Sequence, residues 1–214
     1  MRHARRPGLV AITAALTAVA CTAEVGGNGS TPAPGDAAQS RRHLAALPIA
    51  AEGDGAGYDR EDFGVRWRDI DRNGCDQRND VLARDLTDVV RRGRCVVVSG
   101  TLHDPYTGRR ISFRKSDADE VQIDHVYPLA LAWRMGASRW PKSRREQFAN
   151  DPDNLLAVWG VPNRQKSDSG PGEWRPRKEY QCTYAIKYIA VATKYRLPVT
   201  RADHNALQTF LGRC

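Results

Sequence analysis

Residues 123–129 read Ile123-Asp-His-Val-Tyr-Pro-Leu129, and the fold is decided there. Just upstream, Glu120-Val-Gln-Ile123 alternates polar and apolar residues, which predicts a strand running straight into Asp124 and His125. Beyond Pro128, Leu129 to Arg134 predicts a helix. Asp124 offers the oxygen donor that a hard divalent cation prefers. His125 beside it can take a proton from water near neutral pH. Adjacent strand residues point to opposite faces, however. Both side chains can reach one phosphate only if the strand ends between them, and Pro128 supports such an ending.

Outward from this point the chain alternates short elements. On the C-terminal side, Lys142 to Ala149 predicts a charged helix and Leu155 to Trp159 an apolar strand. A helix is expected after Pro162. Another covers Lys178 to Tyr195, with Cys182, Ile186, Ile189 and Thr193 as its apolar stripe. Thr200-Arg-Ala-Asp203 is a capping-box variant that opens a last helix carrying Leu207, Phe210 and Leu211. On the N-terminal side, Arg78 to Arg92 predicts a helix, and Cys95-Val-Val-Val-Ser99 a strand. Asp104-Pro-Tyr-Thr-Gly108 has the residues of a tight turn. Arg109 to Phe113 would be the return strand. The fold class is therefore α+β.

The chain has 214 residues with 33 Lys and Arg against 25 Asp and Glu, a formal net charge of +8. From Tyr58 onward the count is 28 basic and 21 acidic residues, so the basic excess belongs to the folded part. That balance suits a polyanionic partner. The first residues read differently. Arg2, Arg5 and Arg6 precede an apolar run, Gly8 to Ala20, that ends in the small residues Ala18-Val-Ala20. This is the pattern of an export signal, and the run is shorter than the roughly 20 residues needed to span a bilayer. We expect residues 1–21 to be the signal, 22–57 a flexible Gly, Ala, Pro and Ser rich tether, and 58–214 the domain.

Cysteine usage agrees with export. Cys75, Cys95, Cys182 and Cys214 form an even set with no CxxC pair, so disulfides are expected rather than a zinc ribbon. Of the three connectivities, sequence proximity favours Cys75–Cys95, which leaves Cys182–Cys214. Cys21 directly follows the apolar run, where a lipidated cysteine would stand. Ala18 occupies the place where a lipobox prefers leucine, so anchorage stays open.

Taken singly, each residue has an ordinary structural reading. An Asp-His pair is commonly a surface ion pair or a turn, and Asn154 and Asn163 can each cap a helix. His103 and His204 are expected to be structural or exposed. The five tryptophans, Trp67, Trp133, Trp140, Trp159 and Trp174, read as core rather than as stacking platforms.

Order and spacing add what single residues lack. Residues 104–108 (DPYTG), 123–138 (IDHVYPLALAWRMGAS), 148–158 (FANDPDNLLAV) and 163–168 (NRQKSD), with EW-P at 173–176 and C-Y at 182–184, resemble the HNH or His-Me finger nucleases. More narrowly, they are similar to the HNH domains related to the nuclease half of GmrSD-type restriction enzymes, in an exported, free-standing form. The resemblance covers roughly Tyr58 to Cys214. It implies a ββα-metal core, two strands and a helix around one cation, embedded in a mostly helical, two-disulfide domain.

The resemblance also implies roles. His125 would be the general base that activates water, and Asn154 would hold the loop and orient the imidazole. Asp124 and Asn163 would ligate Mg²⁺ or Mn²⁺. Lys166, one helical turn beyond Asn163, would contact a phosphate, with Arg164 as a weaker candidate. The implied reaction is phosphodiester hydrolysis leaving 5′-phosphate and 3′-hydroxyl ends. The partner would be nucleic acid, DNA favoured over RNA, and the protein a monomer. The competing reading is an exported nucleic-acid or cell-wall binding module that keeps the fold without catalysis. A zinc peptidase ranks last, since no HExxH helix is present.

Overall fold

The computed structural model describes residues 34–214 and Met1. The expected export signal, Cys21 and the first part of the expected tether lie outside the described residues. Twelve regular elements follow in the rest. They are α1 (Pro34–Ala46), α2 (Gln77–Asp85), β1 (Leu86–Arg92), β2 (Val96–His103), β3 (Arg110–Arg114) and β4 (Val121–His125). Then come α3 (Leu129–Arg134), α4 (Lys142–Asn150), β5 (Leu155–Trp159), α5 (Gly160–Lys166), α6 (Gln181–Tyr195) and α7 (Arg201–Leu211). Strands β1, β2 and β3 form one antiparallel sheet, and β4 pairs with β5 in a second.

The β4–β5 pair lies between two cores. Val81 and Leu82 of α2, Leu86, Val97, Leu102 and Phe113 pack on Val121, Ile123, Leu155 and Ala157, one face of the β4–β5 pair. Period-two alternation sends Leu156 and Val158 to the opposite face, into a larger helical core. There Tyr127, Phe148, Tyr184, Tyr188 and Phe210 are enclosed. Tyr127 and Tyr188 stack with ring centroids 4.7 Å apart. The small β4–β5 sheet is thus buried on both faces, and its position is fixed by two independent sets of contacts.

The outer edge of β5 has no third strand. Side chains close it instead. Asp85 accepts from the Ala157 amide at 2.9 Å, Arg84 donates to the Leu155 carbonyl at 2.7 Å, and Asp104 accepts from the Trp159 amide at 2.9 Å. Satisfying these groups matters because unpaired backbone donors and acceptors are costly once buried.

Several expectations need correction. The helix expected over Arg78 to Arg92 ends at Asp85, and Leu86–Arg92 is a strand. Thr87, Val89 and Val90 are β-branched. The chain reverses at Gly93, whose φ of 66° suits glycine. β1 therefore pairs with β2 rather than prolonging α2. The disulfide Cys75–Cys95 closes this unit, and Cys182–Cys214 joins α6 to the end of α7. Both pairings match expectation. On α6 the buried face is centred on Tyr184, Ala185, Tyr188, Ile189 and Ala192, with Ile186 and Thr193 at its margin. Tyrosine supplies most of that apolar area, which an aliphatic stripe does not reveal. Thr200 caps α7 as expected, accepting from the Asp203 amide.

The expected tether is not one from Pro34 onward. Ala37, Ser40, Leu44 and Leu47 are buried at helical spacing, and α1 packs on α6 and α7. Arg41 donates to the Leu211 carbonyl at 2.7 Å. Past Leu47 the chain runs alongside Val199, with the Ala50 amide donating to the Val199 carbonyl at 3.0 Å. Small residues make this helix: little apolar area per residue, but close approach to its neighbours.

Candidate active site

β4 carries the site along its unpaired edge. Gln122, Ile123, Asp124 and His125, four consecutive residues from both faces of the strand, line one cleft of about 660 Å³. Alternation would place Asp124 and His125 on opposite sides, and the expectation was that the strand stops between them. It does not: Asp124 pairs with Leu156 and His125 with Leu155. The two side chains reach the same cleft because the edge itself forms its floor. The cleft also takes in Arg60, Leu129, Arg134, Asn163 and Arg164.

His125 is partly buried. Its Nε2 lies 2.8 Å from the Ala149 carbonyl oxygen. A carbonyl only accepts, so Nε2 carries the proton and Nδ1 of the neutral ring holds a free lone pair. The indole of Trp67 lies parallel to the imidazole, 9° between planes with centroids 6.4 Å apart. Burial is the main reason that its pKa falls from 6.5 to about 3. The bond to Ala149 opposes that fall, and the charges of Arg60 and Lys166 add to it. The ring is therefore neutral across the physiological range.

Asn154 is fully buried and grips the backbone of Tyr127 twice. Oδ1 accepts from the Tyr127 amide at 2.8 Å, and Nδ2 donates to its carbonyl at 3.2 Å. Its own carbonyl accepts from the Val126 amide at 2.8 Å. Asn154 thus fixes the exit of β4 toward α3. It has no bond to the His125 ring, whose orientation comes from Ala149.

Asp124 is 5% exposed and engaged on both oxygens. Oδ1 lies 2.9 Å from the Lys166 ammonium, and Oδ2 accepts from the Tyr106 hydroxyl at 2.5 Å. Burial raises its pKa, against the lowering by the Lys166 charge and by these hydrogen bonds. Lys166 is 0% exposed and also donates to the His125 carbonyl at 2.9 Å. The expectation gave Lys166 a phosphate. Its position at the inner end of α5 gives it Asp124 and the β4 backbone instead, and only the exposed Arg164 remains at the surface.

Asn163, on the first turns of α5, donates from Nδ2 to Gln122 Oε1 at 2.9 Å. Its Oδ1 has no partner among the described residues. Gly160 opens this helix against the Asp119 carbonyl, so close that no Cβ would fit. Pro162 lies in the first turn, where its missing amide costs nothing.

Two residues escaped the sequence reading of the site. Tyr106 was legible only as the centre of the 104–108 turn. That turn is pinned to β5 through Asp104, which also accepts from the Thr107 amide and hydroxyl at 2.9 and 2.6 Å. It thereby delivers a buried hydroxyl to Asp124. Arg60 lies far upstream, in a short 3-10 turn (Arg60–Phe63) held against α4 by the buried Phe63. No local signal marks it.

As a holder of a divalent cation the site is sparse. Among the described residues no three His, Cys, Asp or Glu side chains converge on a metal-sized space. The oxygens present do fit a hard cation: the Asp124 carboxylate has acceptor positions beyond its bonds from Tyr106 and Lys166, Asn163 Oδ1 is unpartnered among the described residues, and both residues line the cleft. Among the described residues no helix is long and apolar enough to cross a membrane.

A curated protein of Arthroderma benhamiae, called an uncharacterized secreted protein, is 37% identical over 208 residues, covering 96% of this chain and 98% of that protein. No solved structure matches the chain. The model of the family described as GmrSD restriction endonucleases, C-terminal domain, matches residues 76–210. That span holds β4, β5 and α5 with Tyr106, Asp124, His125, Asn154, Asn163 and Lys166, while Arg60 and Trp67 precede it, and on it the chain belongs to this family of nuclease-related domains.

Proposed function

We propose that the protein is an exported endonuclease that hydrolyses phosphodiester bonds, with DNA the favoured substrate and β4, β5 and α5 as a ββα-metal core. The observation that carries this reading is the hydrogen bond from His125 Nε2 to the Ala149 carbonyl. It holds a neutral imidazole with Nδ1 unprotonated at an open, arginine-lined cleft. In this reading Nδ1 removes a proton from the attacking water. Ala149 keeps the ring in the required tautomer and supports the positive charge that appears on it as the proton arrives.

The remaining residues position and balance charge. Asn154 holds the backbone from which His125 projects, and Tyr106 and Lys166 hold the Asp124 carboxylate in one orientation. Asp124 and Asn163 are the residues that would hold Mg²⁺ or Mn²⁺. When bound, such an ion stabilises negative charge developing on phosphate oxygens. Arg164 reaches the rim of the cleft and suits the nucleic-acid backbone. The basic excess of the domain and the secreted relative support the nucleic-acid partner and the exported location.

Plasmid nicking by the oxidised chain, with Mg²⁺ or Mn²⁺, tests the reading. Cleavage should vanish with EDTA and fall about 10²–10⁴-fold in His125→Ala, the range of a general base. Cleavage that survives His125→Ala removes the mechanism. Failure to cut DNA and RNA alike returns the chain to the binding-module reading.

A further inference from the structure

Arg60 is the one cationic side chain of the cleft that has a buried donor with nothing to bind. Its Nη1 is enclosed and has no hydrogen-bond partner among the described residues. No carboxylate forms an ion pair with it there. Its neighbours in charge are Arg66, which repels it, and Tyr58. Arg134, on the same cleft wall, differs: Glu52 and Asp168 hold it at 2.5 and 2.7 Å. Leaving a charged donor buried and unmatched is costly, and native proteins keep few such groups without a use for them.

The position of Arg60 is rigid. Asp59 caps its 3-10 turn by accepting from the Glu61 amide at 2.8 Å. Phe63 is 0% exposed and lies against Phe148 and Trp133, with centroids 6.2 and 6.3 Å away. Arg145 donates to the Asp62 carbonyl at 2.9 Å. Upstream, the Ala56 carbonyl accepts from the Trp133 indole at 3.1 Å, and the Gly53 amide donates to the Arg134 carbonyl at 3.1 Å. The backbone of Arg60 is thereby held in place, and its side chain lines the same cleft as His125.

We propose that Arg60 is the anion grip of this site and binds a non-bridging oxygen of the phosphate presented to His125. A guanidinium matches phosphate oxygens by shape as well as charge. The half-buried Arg60 and the exposed Arg164 line one cleft, a pair of cations that a phosphodiester backbone can satisfy. Arg60 lies outside the segment matched by the family model, residues 76–210. The grip is therefore a contribution of the N-terminal arm, added to the centre carried by β4 and α5. The inference rests on the nuclease reading for the identity of the phosphate, but not for the existence of an anion site.

The full chain, titrated with inorganic phosphate in EDTA, isolates the grip from any metal. Arginine Nε–Hε resonances and the melting temperature are followed in wild type, Arg60→Gln and Arg60→Lys, with Arg92→Gln on β1 as a control. Phosphate should shift one arginine signal saturably and raise the melting temperature in wild type and in the control. Arg60→Gln should lose both responses, and Arg60→Lys should bind at least about fivefold more weakly because lysine lacks the planar fork. Without phosphate, Arg60→Gln should melt no lower than wild type, since it removes an unmatched charge; a merely structural arginine would melt lower. With an oligonucleotide substrate, kcat/KM should fall about 10²-fold in Arg60→Gln. Equal phosphate responses in Arg60→Gln and wild type, or unchanged kcat/KM, overturn the proposal. Phosphate binding that depends on Arg60 in a chain that cuts no nucleic acid would defeat the nuclease reading and leave the grip standing.

Discussion

The Lys166 ammonium lies 2.9 Å from Asp124 Oδ1, and hardly any of either side chain is exposed. Breaking such a pair strands a charge inside the protein. Lys166→Met should therefore cost about 3–5 kcal/mol of stability in urea unfolding. The double variant Asp124→Asn, Lys166→Met should cost clearly less than the sum of the two single changes. Additive losses would show that the pair does not act as a unit.

Asn154→Ala removes both clamps on the Tyr127 backbone within a fully buried site. A loss of about 2–3 kcal/mol is expected, because the Tyr127 amide and carbonyl are left without partners. Activity should fall by more than the unfolded fraction explains, since His125 projects from the segment that Asn154 holds. Comparison of cleavage at 10 °C and 30 °C with melting curves separates the two effects.

Tyr106→Phe keeps the ring that packs 4.7 Å from Trp174 and deletes only the hydroxyl donated to Asp124. The expected cost is about 1–3 kcal/mol, the range for a buried acceptor that loses its donor. A neutral result in thermal unfolding would mean that water replaces the hydroxyl, contrary to the enclosure of Tyr106.

His125 makes stability depend on pH in a definite direction. Its folded pKa of about 3 lies below the ordinary 6.5. Between these values the unfolded chain binds a proton that the folded chain refuses, so stability falls as pH drops through that window. Above pH 6.5 both states are neutral at this position and the effect is absent. Urea midpoints of wild type should therefore decline more steeply from pH 7 to pH 4.5 than those of His125→Gln. Parallel declines would show that the imidazole is not held neutral by burial.

Much of this architecture is legible in the sequence where local chemistry decides. The 104–108 turn, the β4 and β5 strands, and the Thr200 cap of α7 each follow from a few neighbouring residues. The break between α2 and β1 is not legible, because Leu86, Val89 and Val90 fit a helical stripe and only pairing with β2 makes them a strand. The α1 helix was hidden by its composition, since alanine and serine at the buried positions look like a tether until α6 and α7 are placed beside them. Within the site, the resemblance to the nuclease family marked Asp124, His125, Asn154 and Asn163 as a group. It could not say that Lys166 turns inward, because direction on a short helix depends on what lies beneath it. Tyr106 reaches Asp124 across 18 residues of sequence and Arg60 reaches the cleft from further still, so both are products of the tertiary fold.

The N-terminal arm has a consequence for how this centre can be moved. Asp54, Gly55, Tyr58 and Arg60 line the cleft together with β4, although all precede residue 76, where the match to the family begins. A piece cut at that boundary would carry the imidazole and the carboxylate but would lose the Cys75–Cys95 disulfide and part of the lining of the cleft. The portable unit is thus larger than the recognisable one. Relatives that share β4 and α5 but replace this arm would have the same residues beneath a different doorway, and on the nuclease reading that doorway would set which phosphates are admitted.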